Sequence, residues 1–83
     1  MPISSQPLAE RIARVLAGSA LSSNMDGDSP SAGDAVDRSW PDHLDQAMAV
    51  LHTMREPDEA MAQAGDAETW TRMIETALGR RGV

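Results

Sequence analysis

The side chains best suited to metal or acid–base chemistry in this chain are its two histidines, His43 and His52. They are nine residues apart, which is about 900° of helical rotation and places them on opposite sides of one helix. Asp45 and Glu56 share a helical face with His52, but a third and a fourth ligand at useful spacing are missing. The pattern favours an exposed polar face, and we predict no bound metal and no cofactor.

A second candidate for metal binding is the acidic stretch in the first half of the chain. Asn24, Asp26 and Asp28 place oxygens at the first, third and fifth positions of an EF-hand loop. That loop also needs glycine at its sixth position and a bidentate glutamate at its twelfth, where this chain has Ser29 and Ala35. Both mismatches favour a solvated linker, with a loose and weak divalent-cation site as the alternative.

The sequence offers little to nucleophilic catalysis. It contains no cysteine, and its serines concentrate in the N-terminal segment and the acidic stretch, outside any rigid helical pattern that could hold a catalytic triad. No glycine-rich phosphate loop follows a strand pattern. We predict that the protein is not an enzyme and has no catalytic residues.

The charge balance and the hydropathy exclude further classes of partner. Thirteen acids against seven bases give a formal net charge of −6, which argues against a surface that replaces counterions on a nucleic acid. No apolar run approaches the roughly 20 residues that span a bilayer. We therefore expect no nucleic-acid partner, no membrane partner and a cytoplasmic location, while a basic protein partner stays open.

Apolar residues recur at helical spacing along the chain, and no segment alternates with the two-residue period of a strand. One such stripe predicts an N-terminal amphipathic helix within residues 1–21. Polar residues and helix breakers over residues 22–38 predict an acidic flexible linker. The members of the N-terminal stripe are Leu8, Ile12, Val15 and Leu16.

Residues 39–83 carry three more helical patterns and form the predicted helical core of a single domain. Ser39 and Asp42 predict a capping box at the start of the first, and Pro57 separates it from a short helix with Met61 facing inward. The fold class is therefore all-α, a small bundle of three longer helices and one short helix. The residues predicted to form the core or an interface are Trp40, Leu44, Met48, Leu51, Met54, Trp70, Met73 and Ile74.

The last two predicted helices are joined near Gly65, a spacing that also fits a minimal helix-turn-helix DNA-binding regulator. In that interpretation the first turn of the recognition helix would face the phosphates of DNA. Here that turn contains Asp66 and Glu68, which phosphates would repel. A helical hairpin that closes a core is the favoured interpretation.

The run Arg55-Glu56-Pro57-Asp58-Glu59-Ala60-Met61, followed by Trp70-x-x-Met73-Ile74, resembles short uncharacterised bacterial proteins that are often encoded near prophage genes. Arg11 to Arg14 matches the Arg-Ile-Ala-Arg-like first helix of those proteins. The resemblance implies a helical fold, and it implies no activity that could be assigned to particular residues.

The function that the sequence favours is a small, non-catalytic helical interaction module that associates with itself. An 83-residue chain with two tryptophans as its only aromatic residues builds a thin core, and its apolar stripes exceed what one such bundle covers. We expect a homodimer with the second and fourth predicted helices at or near the interface. The alternative is an acidic inhibitor or DNA mimic that binds a basic partner.

Overall fold

A computed structural model describes residues 2–24 and 32–80 of the chain. Within them the backbone forms five α-helices and one 3-10 helix, and no strand occurs in this part of the chain. The predicted all-α fold is confirmed. The elements are α1 (Leu8–Asn24), α2 (Ala32–Ser39), the 3-10 helix (Trp40–His43), α3 (Leu44–Met54), α4 (Glu59–Ala64) and α5 (Ala67–Leu78).

The linker predicted over residues 22–38 is corrected at both of its ends. Helix α1 continues to Asn24, and α2 occupies most of the second half of the predicted linker. Val36 packs against the core, and such packing stabilises a short helix that its own sequence would not. Of the positions tested for an EF-hand, Asn24 ends α1 and Ala35 lies in α2, while residues 25–31 lie outside the described part of the chain.

The predicted capping box at Ser39 is wrong. Ser39 is the last residue of α2, and its hydroxyl donates to the carbonyl oxygen of Ala35 at 2.7 Å. Because the chain before Ser39 is already helical, the hydroxyl bonds back one turn and caps nothing downstream. Helix α3 proper begins only at Leu44, after the 3-10 helix that contains Pro41.

Two aspartates do cap the helices that follow. The Asp58 carboxylate accepts a hydrogen bond from the backbone N–H of Met61 at 2.9 Å and starts α4. The Asp66 carboxylate accepts from the N–H groups of Glu68 and Thr69, at 2.9 and 3.2 Å, and starts α5. These bonds satisfy backbone donors that have no partner within the first turn of a helix.

The core lies where α1 packs against the 3-10 helix and α3. Helix α1 contributes Ala9, Ala13 and Ala17, which are four residues apart and fully buried. Its predicted leucine and isoleucine stripe is only half-buried beside them, and Val15 is 70% exposed. Small side chains let the α1 backbone approach its neighbours closely, so that the alanines form the buried face. The remaining buried core residues are Trp40, Leu44, Ala47, Leu51 and Ile74.

Arg14 links α1 to α2 above this core. Its Nε atom lies 2.9 Å from a carboxylate oxygen of Glu10, and its Nη1 atom lies 2.6 Å from one of Asp37. The guanidinium carbon is 5.3 Å from the centre of the Trp40 ring, a cation–π distance. The hydrogen bonds to Asp37 and then Glu10 raise the pKa of Arg14, and the bond to Asp37 joins α2 to α1.

Candidate protein-interaction surface on α5

Helix α5 is positioned by polar contacts to the C-terminal end of α3. The indole Nε1 of Trp70 donates to the carbonyl oxygen of Met54 at 2.6 Å, and the Thr71 hydroxyl donates to that of Arg55 at 3.0 Å. The last carbonyls of a helix lack partners within the helix, so α5 supplies them. An ion pair of 2.9 Å between Arg55 and Glu75 adds a third link between the two segments.

This docking determines which side of α5 faces the core. Ile74 is 3% exposed and belongs to the core, whereas Met73 is 64% exposed. Consecutive helical residues are about 100° apart around the axis, so burial of Ile74 turns Met73 outward. Met61 also faces outward, on a helix α4 whose residues are all exposed. The inward orientation predicted for Met61 is wrong, and Met73, predicted as a core or interface residue, lies on the surface.

Two apolar grooves flank Met73, and Trp70 and Met73 line both of them. The groove between α5 and α4 has a volume of about 350 Å³ and is walled by Pro57 and Met61. The groove between α5 and the segment leading into α1 has a volume of about 290 Å³ and is walled by Pro7. We use the name α5 face for the residues of α5 and its two ends that line these grooves, apart from the buried Ile74. The α5 face comprises Asp66, Ala67, Thr69, Trp70, Met73, Thr76, Ala77 and Arg80.

The two ends of the α5 face carry opposite charges. At one end, the backbone hydrogen bond from Thr69 lowers the pKa of Asp66, and the nearby charge of Arg72 acts in the same direction. At the other end, Arg80 follows the last turn of α5 and lines the second groove. The apolar centre at Met73 therefore lies between an acidic end and a basic end.

The eight residues predicted as core or interface separate into three groups. Four are buried, three are half-buried against the core, and Met73 alone among the eight is exposed. The α3 members are thus used inside the fold, and the surface contributed by Trp70 and Met73 is the part still open to a partner. The buried residues are Trp40, Leu44, Leu51 and Ile74, the half-buried ones are Met48, Met54 and Trp70, and the exposed one is Met73.

Two sets of residues escaped the sequence reasoning. The alanines of α1 were overlooked because alanine buries little area, although their four-residue spacing was a visible signal. The grooves beside Met73 combine residues from α4, α5 and the segment before α1. No periodicity within one helix could have predicted that combination.

The histidines take separate places. The Nδ1 atom of His43 is hydrogen-bonded to the side-chain oxygen of Gln46 at 3.0 Å. His52 is exposed on α3, and Glu56 lies beyond the end of that helix, so they do not continue one helical face. Among residues 2–24 and 32–80 there is no group of three histidine, cysteine or acidic side chains that could hold a metal ion.

No helix within residues 2–24 and 32–80 combines the length and the apolar character needed to cross a bilayer. The cytoplasmic location stays a prediction.

Comparison of the chain with protein-family models, with curated proteins and with solved structures finds no match in any of the three. The resemblance to prophage-associated bacterial proteins therefore stays a prediction, and the contacts described above are what bears on function.

Proposed function

We propose that this protein is a small, non-catalytic helical interaction module that forms a homodimer through the α5 face. The observation that carries the proposal is the exposure of Met73 at the centre of an apolar surface with a groove on each side. Contiguous apolar surface of this kind marks interaction sites in small proteins. Methionine suits such a site because its flexible thioether adapts to the surface it meets.

The composition of the core supports a second copy as the partner. Half of the eight buried core residues are alanines, and Leu51 is the large side chain that is completely buried. A small domain with so little buried apolar area gains stability when assembly covers more of it. Helix α3 packs against α1 and α5. Met73 is the exposed apolar side chain that lies between two grooves, which makes the α5 face the surface best shaped for association.

Sedimentation equilibrium of the intact chain at micromolar concentration tests this proposal. We expect a dimer, with a melting temperature that rises with protein concentration because folding and assembly are linked by mass action. Met73→Asp should give a folded monomer of 8.9 kDa, because a carboxylate cannot be buried in an apolar interface without a large desolvation cost.

Val15→Asp is the matched control. Val15 is 70% exposed on α1 and lines neither groove, so this variant should dimerise as the wild type does. Circular dichroism establishes that both variants keep their helices. A wild-type chain that sediments as one 8.9 kDa species, with a melt independent of concentration, would overturn self-association and favour the acidic inhibitor that binds a basic partner.

A further inference from the structure

We infer that the two copies pair through an antiparallel α5–α5 contact whose two-fold axis passes beside Met73, with Asp66 of each copy opposite Arg80 of the other. This arrangement rests on the proposed homodimer and specifies its geometry. It follows from the spacing and the charge of the exposed residues along the α5 face.

The spacing places Met73 at the midpoint of the face. Asp66, Met73 and Arg80 are all exposed and follow one another at intervals of seven residues. Asp66 caps the start of α5 and Arg80 lies just beyond its end. Each of them lines one of the two grooves that Met73 shares, so Met73 lies between them on the α5 face. A two-fold axis at Met73 brings each end of the face onto the opposite end of its symmetry mate.

The charges distinguish the two directions in which α5 could pair with itself. A parallel pair would place Asp66 beside Asp66 and Arg80 beside Arg80, which is repulsive at both ends. The antiparallel pair makes both ends attractive. This local match selects the orientation, and it opposes the repulsion between two chains that each carry a net charge of −6.

The apolar part of the face fits the same symmetry. In the antiparallel register, Thr69 and Trp70 of one copy lie opposite Ala77 and Thr76 of the other. The bulky indole therefore meets small side chains across the interface. The two Met73 side chains meet at the axis, where each can turn into one of the flanking grooves.

Disulfide trapping tests the position of the axis. The chain contains no cysteine, so Met73→Cys introduces a single thiol, which should oxidise to a covalent dimer at protein concentrations where the dimer forms. Residues that face each other across closely packed helices have Cα separations of about 4–7 Å, which a disulfide can bridge. Arg72→Cys is the matched control: Arg72 is also exposed but lines a different surface of α5, and it should give little covalent dimer.

A charge cycle tests the orientation. Arg80→Glu should raise the dimer dissociation constant roughly tenfold, because two exposed charge pairs become repulsive. Adding Asp66→Asn to Arg80→Glu should lower the dissociation constant again, roughly threefold, because asparagine removes the repelling charge and still caps the helix. The same Asp66→Asn change in the wild type should instead weaken the dimer.

The outcomes separate this inference from the proposed function. A wild-type chain that dimerises and loses dimerisation in Met73→Asp, while Met73→Cys gives no more covalent dimer than Arg72→Cys, would overturn the antiparallel arrangement and leave the α5 face as the interface. Additive effects of Arg80→Glu and Asp66→Asn would also overturn it. A monomeric wild type would overturn both the arrangement and the homodimer.

Discussion

Ala13 on α1 and Met73 on α5 are both apolar residues on amphipathic helices, yet Ala13 is completely buried and Met73 is 64% exposed. On the α1 side, small side chains allow close contact with the 3-10 helix and α3, and the three alanines have no exposed surface. On the α5 side, the helix is docked by Trp70 and Thr71 through hydrogen bonds to the end of α3.

The two helices are held by different interactions: α1 by close packing of small side chains, and α5 largely by hydrogen bonds to the end of α3. Close packing buries the three alanines of α1 completely, while its larger apolar side chains stay half-buried or exposed. The docking of α5 uses the carbonyls that end α3 and buries Ile74, with Trp70, Ala77 and Leu78 half-buried beside it. It leaves large side chains such as Met73 outside, where a partner can contact them.

The largest expected effect comes from truncating a large side chain within the core. Leu51→Ala should lower the free energy of unfolding by about 2–5 kcal/mol, through lost transfer free energy and a cavity. Met73→Ala, measured at dilutions that keep the chain monomeric, should change it by less than about 0.5 kcal/mol. Urea unfolding followed by circular dichroism measures both changes. Equal losses of unfolding free energy in the two variants would contradict the assignment of Leu51 to the core and Met73 to the surface.

The second prediction concerns the closeness of the α1 contact. Ala13→Leu adds three carbons at a position with no exposed surface and should cost about 1–3 kcal/mol of unfolding free energy by overpacking. Val15→Leu enlarges an exposed side chain two residues away and should stay within about 0.5 kcal/mol of the wild type. Thermal melts of the two variants test this prediction. A melting temperature unchanged in Ala13→Leu would mean that α1 is not closely packed at this position.

The third prediction concerns Gly18, at the edge of the α1 contact. A Cβ atom at this position would lie 3.9 Å from a methyl carbon of Val36, an ordinary van der Waals contact. Gly18→Ala should therefore stabilise the fold by about 0.5–1 kcal/mol through helix propensity. Gly65→Ala meets open space but lies outside a helix, so it should gain less. A loss of stability in Gly18→Ala would show that the close contact extends to this end of α1.

The smallest expected effect is a pH dependence on the α5 side. Backbone hydrogen bonds lower the pKa of Asp66 in the folded state, so its stabilising contribution is present above the pKa of the unfolded chain and is lost as the pH falls through the folded pKa. Asp66→Asn should lose less stability than the wild type on acidification from about pH 5 to pH 2. Identical losses in parallel melts would show that the cap does not contribute through its charge.

Local signals in the sequence determined the all-α class, the break at Pro57 and the cap at Asp66. A capping aspartate and a helix-breaking proline act within a few residues of themselves. Such signals can be read locally where the preceding chain is not helical, and Ser39, the last residue of α2, fails that condition. The stripe of α3 was also predictable, because the repeat of Leu44, Leu51 and their neighbours is strong enough to specify a buried face.

Only the tertiary structure decided which apolar residues are inside. The helical repeat places Met73 and Ile74 side by side on α5, and the hydrogen bonds from Trp70 and Thr71 to the end of α3 select Ile74 for the core. In the same way, packing against the 3-10 helix turns the alanines of α1 inward and Val15 outward. Helix α2 forms within a polar stretch because contacts with α1 stabilise it. Such choices depend on contacts between segments that are distant in sequence. The periodicity of a single helix marks candidate faces, such as the alanines of α1, and packing decides which of those faces is buried.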